Sequence, residues 1–485
     1  MSYFDSNLNL TMLTDFYELT MANGYFQNGF KDTIGYYDMF YRHTPDQGGF
    51  AIMAGVEQVV DYLKKLKFTE EDLAYLKTRG FDDEFLDYLR NFKFECDVWA
   101  IPEGTPTFPN EPIVKVRGPV IQGQFLETMI LLIINHQSLI ATKANRIVRA
   151  AEGRAVMEFG SRRAQSSTAA IYGARASYIG GCVGTACTID GRDYKIPALG
   201  TMAHSWVQMF PTELDAFLAY AREYPQNCTL LVDTYNVLKS GIPNAIEAFN
   251  REVVPRGFRP AGIRIDSGDI TYLSKKARKM LDEAGFPDCG IVASNSLDEY
   301  LIGDMLDQGA EITSFGVGER MITSSSSPVM DGVYKLSGIE DEDGNVIPKI
   351  KISENVTKIT NPCSKWVYRL YDKETGKAEA DVIAMADEPA PDGSPYLLFD
   401  PDYTWKQKTL ENYECRALLE PIFVHGECVY EPKPLPELQK YCLSQIDTLW
   451  EEVTRFEHPH NYYVDLSQKL WDEKYRLLKE HSAKV

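Results

Sequence analysis

The feature that most constrains this chain is a unit that recurs over about residues 155–323: a short apolar or β-branched run, a polar or glycine-bearing loop, then a segment of helical period. In chain order the run-to-loop junctions read MEFGSRR, CVGT, ALGTMAHS, LLVDTYN, IRIDSGD, IVASNS and SFGVGER, seven in all. Helical segments follow several of them, over 214–223, 244–252, 270–284 and 297–308. Strands separated by helices pair in parallel, because a parallel pair needs a crossover long enough to hold a helix. Junction spacings of about 16 to 34 residues predict an α/β fold, an irregular β/α barrel of about seven parallel strands. The chemistry of such barrels sits on the loops at the carboxyl ends of the strands.

The flanks read differently. Residues 1–135 are mixed α+β: amphipathic stretches at 56–66 and 70–76, the second with Thr69 placed to cap it, then 98–120, where apolar residues alternate with Pro, Gly and Asn turn signals as in β-hairpins. A long apolar helix is expected over 124–151. From Asp331 onward strands and tight turns return (DEDGN, DKETG), and 435–484 reads as helices with charged faces. The expected organisation is a mixed α+β domain at 1–135 completed by 333–420, a barrel domain at 136–332, and a mostly helical C-terminal extension at 421–485.

Composition narrows the function classes. Against 50 Lys+Arg stand 70 Asp+Glu, a net charge of −20, so the global field repels nucleic acid and anionic membranes, and an anionic ligand must be captured by a local cluster of cations. The longest apolar run, 129–134, falls far short of the roughly 20 residues a membrane-spanning helix needs. The N-terminal stretch carries Asp5, Asp15 and Glu18 without a basic segment, so no secretory signal is expected and the cytoplasm is the predicted location. Nine cysteines, an odd number without a dense framework, fit reduced thiols. Cys363, Cys415, Cys428 and Cys442 are spaced too widely for a CxxC zinc pair.

Several junctions hold more polar groups than a strand-to-helix turn requires. His204, in GTMAHSW, follows the apolar run 196–199; its imidazole there serves as acid, base or phosphoryl acceptor, or is a loop histidine that is merely hydrogen-bonded. In GIRIDSGD, strand alternation puts Arg264 and Asp266 on one side, with Asp269 just beyond. This set is either an arginine that receives a carboxylate or phosphate beside orienting or metal-holding carboxylates, or a structural Arg–Asp network. Gly316 and Gly318 in SFGVGER, with Thr323 and four serines after them, offer backbone N–H groups and hydroxyls to an anion, though GxG also marks ordinary turns. Arg162 and Arg163 follow the first strand, and Ser294 and Asn295 end the sixth run. The P-loop, H-E-x-x-H and G-x-S-x-G patterns are absent.

Taken together, LTDFYELTMANGYF, EFGSRRAQ, GTMAHSW, DTYN, GIRIDSGD, ASNS and FGVGERMIT, in this order over nearly the whole chain, resemble nicotinate phosphoribosyltransferase, of the type II phosphoribosyltransferases. The resemblance implies that nicotinate is joined to the ribose 5-phosphate of phosphoribosyl pyrophosphate (PRPP), with Mg²⁺, and that ATP is consumed as co-substrate. It implies a phosphohistidine at His204, ring stacking by Tyr17, nicotinate carboxylate binding by Thr201 and Arg264, and phosphate binding by Arg162, Ser294, Asn295, Gly316, Gly318 and Thr323. Asp266 and Asp269 then serve the ribose hydroxyls or Mg²⁺. A homodimer that shares its active sites is implied as well, with neither nucleic acid nor membrane as partner. The chain departs from the family pattern at Glu319 and Arg320, where a small hydroxyl residue is common, and at Cys363 in NPCSK, where glycine is usual.

Three rivals stand beside this reading. A nicotinamide enzyme differs only in the base, and Arg264 beside Thr201 favours a carboxylate over a neutral amide. A phosphosugar isomerase or aldolase on an ordinary barrel lacks a strand-end lysine for Schiff-base chemistry here, while histidine-based isomerisation stays open. A ligand-sensing protein that kept the fold alone would not need His204, Arg264 and Asp266 intact.

Overall fold

The computed structural model describes residues 9–391, 393 and 395–482; Asp5 and the end of the expected C-terminal helical stretch lie outside the described residues. The chain divides into two compact units, Met1–Leu139 with Val329–Val485, and Ile140–Pro328.

The second unit holds the recurrent β/α segments. Its strands are β1 (Ala155–Glu158), β2 (Gly184–Thr185), β3 (Thr229–Leu231), β4 (Gly262–Ile265), β5 (Gly290–Ser294) and β6 (Ser314–Val317). They form one six-stranded sheet in the order β2-β1-β6-β5-β4-β3, parallel throughout. First and last strands are neighbours, with Glu158 opposite Val317, which is the ring order a barrel needs. The seventh expected strand is reduced to a single parallel bridge, Thr185 to Ala198. Thr185 N–H donates to Pro197 O at 3.0 Å and Leu199 N–H to Thr185 O at 2.8 Å. Pro197 has no N–H with which to pair onward, and no ladder among the described residues joins Ala198 to β3. The expectation of seven paired strands is therefore corrected to six strands and a bridge.

Several of the polar loops hand over to a helix through a side-chain cap, which explains why Ser, Thr and Asp cluster at those junctions. Ser166 accepts from Ala169 N–H at 3.1 Å ahead of Ser167–Ile179, Thr212 from Asp215 N–H at 3.1 Å ahead of Glu213–Glu223, and Asp298 from Leu301 N–H at 2.9 Å ahead of Glu299–Asp307. Beneath these loops the strand interiors are apolar: Ile263, Ile265, Ile291, Phe315 and Val317 are all 0% exposed.

The first unit is built on a seven-stranded antiparallel sheet in the order Val346–Pro348, Val333–Glu340, Ile34–Phe40, Val114–Pro119, Asp97–Ala100, Glu420–Val424, Glu427–Cys428. Of the hairpins expected over 98–120 one antiparallel pair forms, Asp97–Ala100 with Val114–Pro119, Asp97 opposite Arg117; Pro106–Thr107 between them pairs instead with Ala51–Ile52. Thr69 caps Glu70–Thr78 in a capping box with Asp72. That helix and its neighbours enclose a core of Leu73, Leu76, Phe81, Phe85 and Leu89, each worth about 1.5–3 kcal/mol on full burial. The expected helix at 124–151 is two, Val120–Phe125 and Glu127–Ala150. The C-terminal segment is not helical throughout: between its helices Val464–Leu466 pairs in parallel with Ala378–Met385. Among the described residues no helix is long and apolar enough to cross a membrane.

Candidate active site

The second unit gathers its polar side chains at the carboxyl ends of the parallel strands. Arg264 lies in β4 between Ile263 and Ile265, and alternation turns its guanidinium away from the apolar side. Its Nη1 donates to Thr201 Oγ1 at 2.7 Å, while its Nε is buried without a hydrogen-bond partner among the described residues. Burial pulls its pKa down, against the opposing pull of the Asp266 and Asp233 charges, with the Arg162 charge adding to the lowering. A buried cation that holds an unused donor beside a hydroxyl is prepared for an anionic acceptor.

Three residues along the chain from Thr201, His204 opens the short helix His204–Gln208. Its Nε2 lies 3.0 Å from Asp233 Oδ1; the histidine side chain is 40% exposed and the aspartate 1%. Asp233 stands just past β3. Its Oδ2 accepts from the Asp266 N–H at 3.0 Å and from Ser267 Oγ at 2.6 Å. One buried carboxylate thus orients the imidazole from one oxygen and pins the turn after β4 from the other. Fixing Nε2 selects the tautomer and leaves the rest of the ring for chemistry. Asp233 is a residue that the sequence reading finds at a strand end, in DTYN, but gives no role, because its partner is 29 positions away.

The other expected site residues divide into two groups. Asp266 Oδ1 accepts from Ser294 Oγ, which joins the ends of β4 and β5 to the same cluster. Asn295, next to it, has φ +114, a conformation that costs a non-glycine residue energy and is held by the surrounding turn. Arg162 is exposed on the turn Ser161–Arg163 after β1, close enough to Arg264 to act on its charge. Asp269, by contrast, caps Ile270–Glu283, its carboxylate accepting from Tyr272 N–H at 2.9 Å. Gly316 sits where an added Cβ would lie 2.5 Å from the Phe159 ring, and at Gly318 one would lie 3.0 Å from Phe159 O. Packing alone therefore asks for glycine at the first position. Thr323 Oγ1 donates to Glu319 O at 2.7 Å.

The departures from the family pattern have local explanations. Arg320 pairs with the cap residue Asp298, and Glu319 lies 3.5 Å from Arg163. Cys363 is buried at φ +73, the left-handed region that favours glycine. Among the described residues no disulfide forms.

Tyr17 belongs to the first unit, on the helix Phe16–Gln27, and is 45% exposed. Partial burial and the charges of Glu127 and Glu18 raise its hydroxyl pKa. It lines a cavity of about 240 Å³ with Met21, Tyr25, Tyr37, Glu127 and Tyr334.

Among the described residues no group of three or more His, Cys, Asp or Glu is arranged to hold a metal ion. A histidine oriented by a buried carboxylate, arginines near one rim and hydroxyls at neighbouring strand ends give this α/β unit a polar rim suited to anionic ligands.

Comparison with known proteins gives the particular family. The nicotinate phosphoribosyltransferase family model matches residues 154–371, and models of that enzyme's N-terminal and C-terminal domains match 12–135 and 364–474. The chain is 40% identical over 478 residues to the nicotinate phosphoribosyltransferase of Bacillus subtilis, covering 98% of this chain and 97% of that protein. To the human nicotinate phosphoribosyltransferase it is 29% identical, with 95% of each chain covered. The crystal structure of human nicotinic acid phosphoribosyltransferase matches with a TM-score of 0.83 at 27% identity, over 96% of this chain and 100% of that one. The chain belongs to the nicotinate phosphoribosyltransferase family, and its activity is phosphoribosyl transfer to nicotinate in NAD salvage.

Proposed function

We propose that the transfer is coupled to ATP through His204. In this reading the imidazole nitrogen not bound to Asp233 takes the γ-phosphoryl group of ATP and ADP departs; water later takes the phosphoryl group as inorganic phosphate. The observation that carries the reading is the His204–Asp233 pair: the 3.0 Å contact from Nε2 to a buried carboxylate orients the ring and favours the positive charge it gains on phosphorylation.

Arg264 and Thr201 receive the nicotinate carboxylate, the guanidinium offering the Nε that has no hydrogen-bond partner among the described residues. The pyridine nitrogen then attacks C1 of the ribose as the bond to pyrophosphate breaks, through an oxocarbenium-like state. Arg162 and the backbone N–H groups around Gly316 and Gly318 offset the charge that develops on the leaving group. Asp266, held by Ser294, orients a ribose hydroxyl and, of the two expected carboxylates, is the one that would hold Mg²⁺, since Asp269 caps a helix. When bound, Mg²⁺ supplies Lewis-acid neutralisation of the pyrophosphate oxygens. Ser294 and Asn295 line the phosphoribosyl side. Asp269 acts through the helix it caps. The strand order with β6 beside β1 supports an irregular phosphoribosyltransferase barrel. We place the protein in the cytoplasm as a homodimer, with Tyr17 of a second copy stacked on the pyridine ring; its half-exposed side chain supports that role.

Incubation with ATP and Mg²⁺, followed by phosphopeptide mapping at alkaline pH, tests the coupling. His204 is expected to carry one phosphoryl group, absent from His204→Ala, whose ATP stimulation disappears while a slow ATP-independent reaction remains. Unchanged ATP stimulation in His204→Ala would overturn the assignment.

A further inference from the structure

Glu158, the last residue of β1, is 0% exposed, and no ion pair forms at its carboxylate among the described residues. Burial pushes its pKa up, against the pull of two hydrogen bonds. Oε2 accepts from Thr185 Oγ1 at 2.5 Å, Oε1 accepts from the Gly160 N–H, and Thr185 Oγ1 in turn accepts from Cys187 N–H at 2.9 Å. An unpaired carboxylate inside a unit is costly unless its hydrogen bonds are made, so its presence calls for a purpose that an apolar residue would not serve.

The two donors belong to different elements. Thr185 lies on β2, directly opposite Glu158 in the parallel ladder. Gly160 opens the turn Ser161–Arg163, which closes through Arg163 N–H to Gly160 O at 2.7 Å. The turn is closely packed at its start: a Cβ on Gly160 would lie 2.5 Å from Ile322 Cβ and 2.8 Å from Glu158 Oε1. Wherever Gly160 is fixed, Arg162 follows two residues on, with its charge felt at Arg264.

We propose that Glu158 is a positioning residue for the phosphoribosyl donor: it clamps the Gly160–Arg163 turn to β2 and so sets where Arg162 meets the phosphate of PRPP. The inference rests on the reading of Arg162 as a phosphate ligand. Reach, more than charge, is what the clamp uses. Aspartate keeps the charge but is one methylene too short to meet both donors. Glutamine keeps the length, accepting from Gly160 N–H while its amide donates to Thr185 Oγ1.

Steady-state kinetics with PRPP and nicotinate varied separately test this in Glu158→Asp, Glu158→Gln, Arg162→Ala and the Glu158→Asp/Arg162→Ala double variant. Glu158→Asp is expected to raise the KM for PRPP about tenfold, the loss expected of one hydrogen bond to a charged group, with the KM for nicotinate within about twofold. Glu158→Gln is expected to restore the KM for PRPP to within about threefold, and Glu158→Asp is expected to add nothing once Arg162 is alanine. An unchanged KM for PRPP in Arg162→Ala would refute the reading of Arg162 and the clamp with it. A raised KM there beside a normal one in Glu158→Asp, equal rises for both substrates, or multiplying effects in the double variant would refute the clamp alone. If Glu158→Asp does not fold, Thr185→Val, which removes only the hydroxyl, takes its place in the same comparison.

Discussion

Asp233 carries two tasks with one side chain: Oδ1 orients His204, and Oδ2 holds the turn that bears Asp266 and Ser267. Replacing it with alanine strands the imidazole and two further groups at once, so Asp233→Ala is expected to lower kcat about 10²-fold, the lower end for a lost acid–base partner, in a steady-state assay. Arg264 depends on geometry as much as on charge. Arg264→Lys keeps a cation but loses the planar fork, and its KM for nicotinate is expected to rise at least about tenfold, one lost charge-assisted hydrogen bond, with the KM for PRPP nearly unchanged. The sequence makes Arg264 and Asp266 legible because strand alternation and the GIRIDSGD run put both on one rim. It cannot make the His204–Asp233 pair legible, since which junctions face each other depends on strand order.

Caps and close packing decide whether the elements hold those residues in place. Asp269 caps Ile270–Glu283, so Asp269→Ala is expected to cost about 1 kcal/mol in denaturant unfolding, and Asp269→Asn, an equivalent cap, to recover most of it. Gly316→Ala drives a methyl group into the Phe159 ring, at 2.5 Å, and is expected to cost about 1–3 kcal/mol by overpacking. The helices after β4 and β5 are legible in the sequence, at 270–284 and 297–308 against Ile270–Glu283 and Glu299–Asp307, because apolar period and cap residue agree. The seventh strand is not, because an apolar run at 196–199 looks the same whether it forms a full ladder or one bridge; Pro197 is the residue that limits it. The strand Val464–Leu466 is hidden for a related reason: three residues are too few to show alternation.

At the scale of the whole molecule, a net charge of −20 leaves anionic substrates to be captured by Arg162, Arg264 and the loop amides, and the same excess of acid shapes stability against pH. Burial pushes Asp190 up to about 7, the Cys187 thiol opposing; burial and then the Asp400 charge push Asp465 up to about 7. Unfolded, such groups titrate near about 3.9. Between these values the folded chain keeps protons on the two groups that the unfolded chain has released, so their contribution to stability falls as pH rises from about 4 to about 7 and levels off above. Calorimetric scans across that window are expected to show a shallower fall in Tm for Asp465→Asn than for the wild type. The measurement that bears most directly on the central claim is mononucleotide formation from PRPP and Mg²⁺ with nicotinate or nicotinamide, each with and without ATP. The account predicts turnover of nicotinate alone, accelerated by ATP. Turnover of nicotinamide at a comparable rate would contradict the carboxylate role of Arg264 and Thr201, and indifference to ATP would contradict the role of His204.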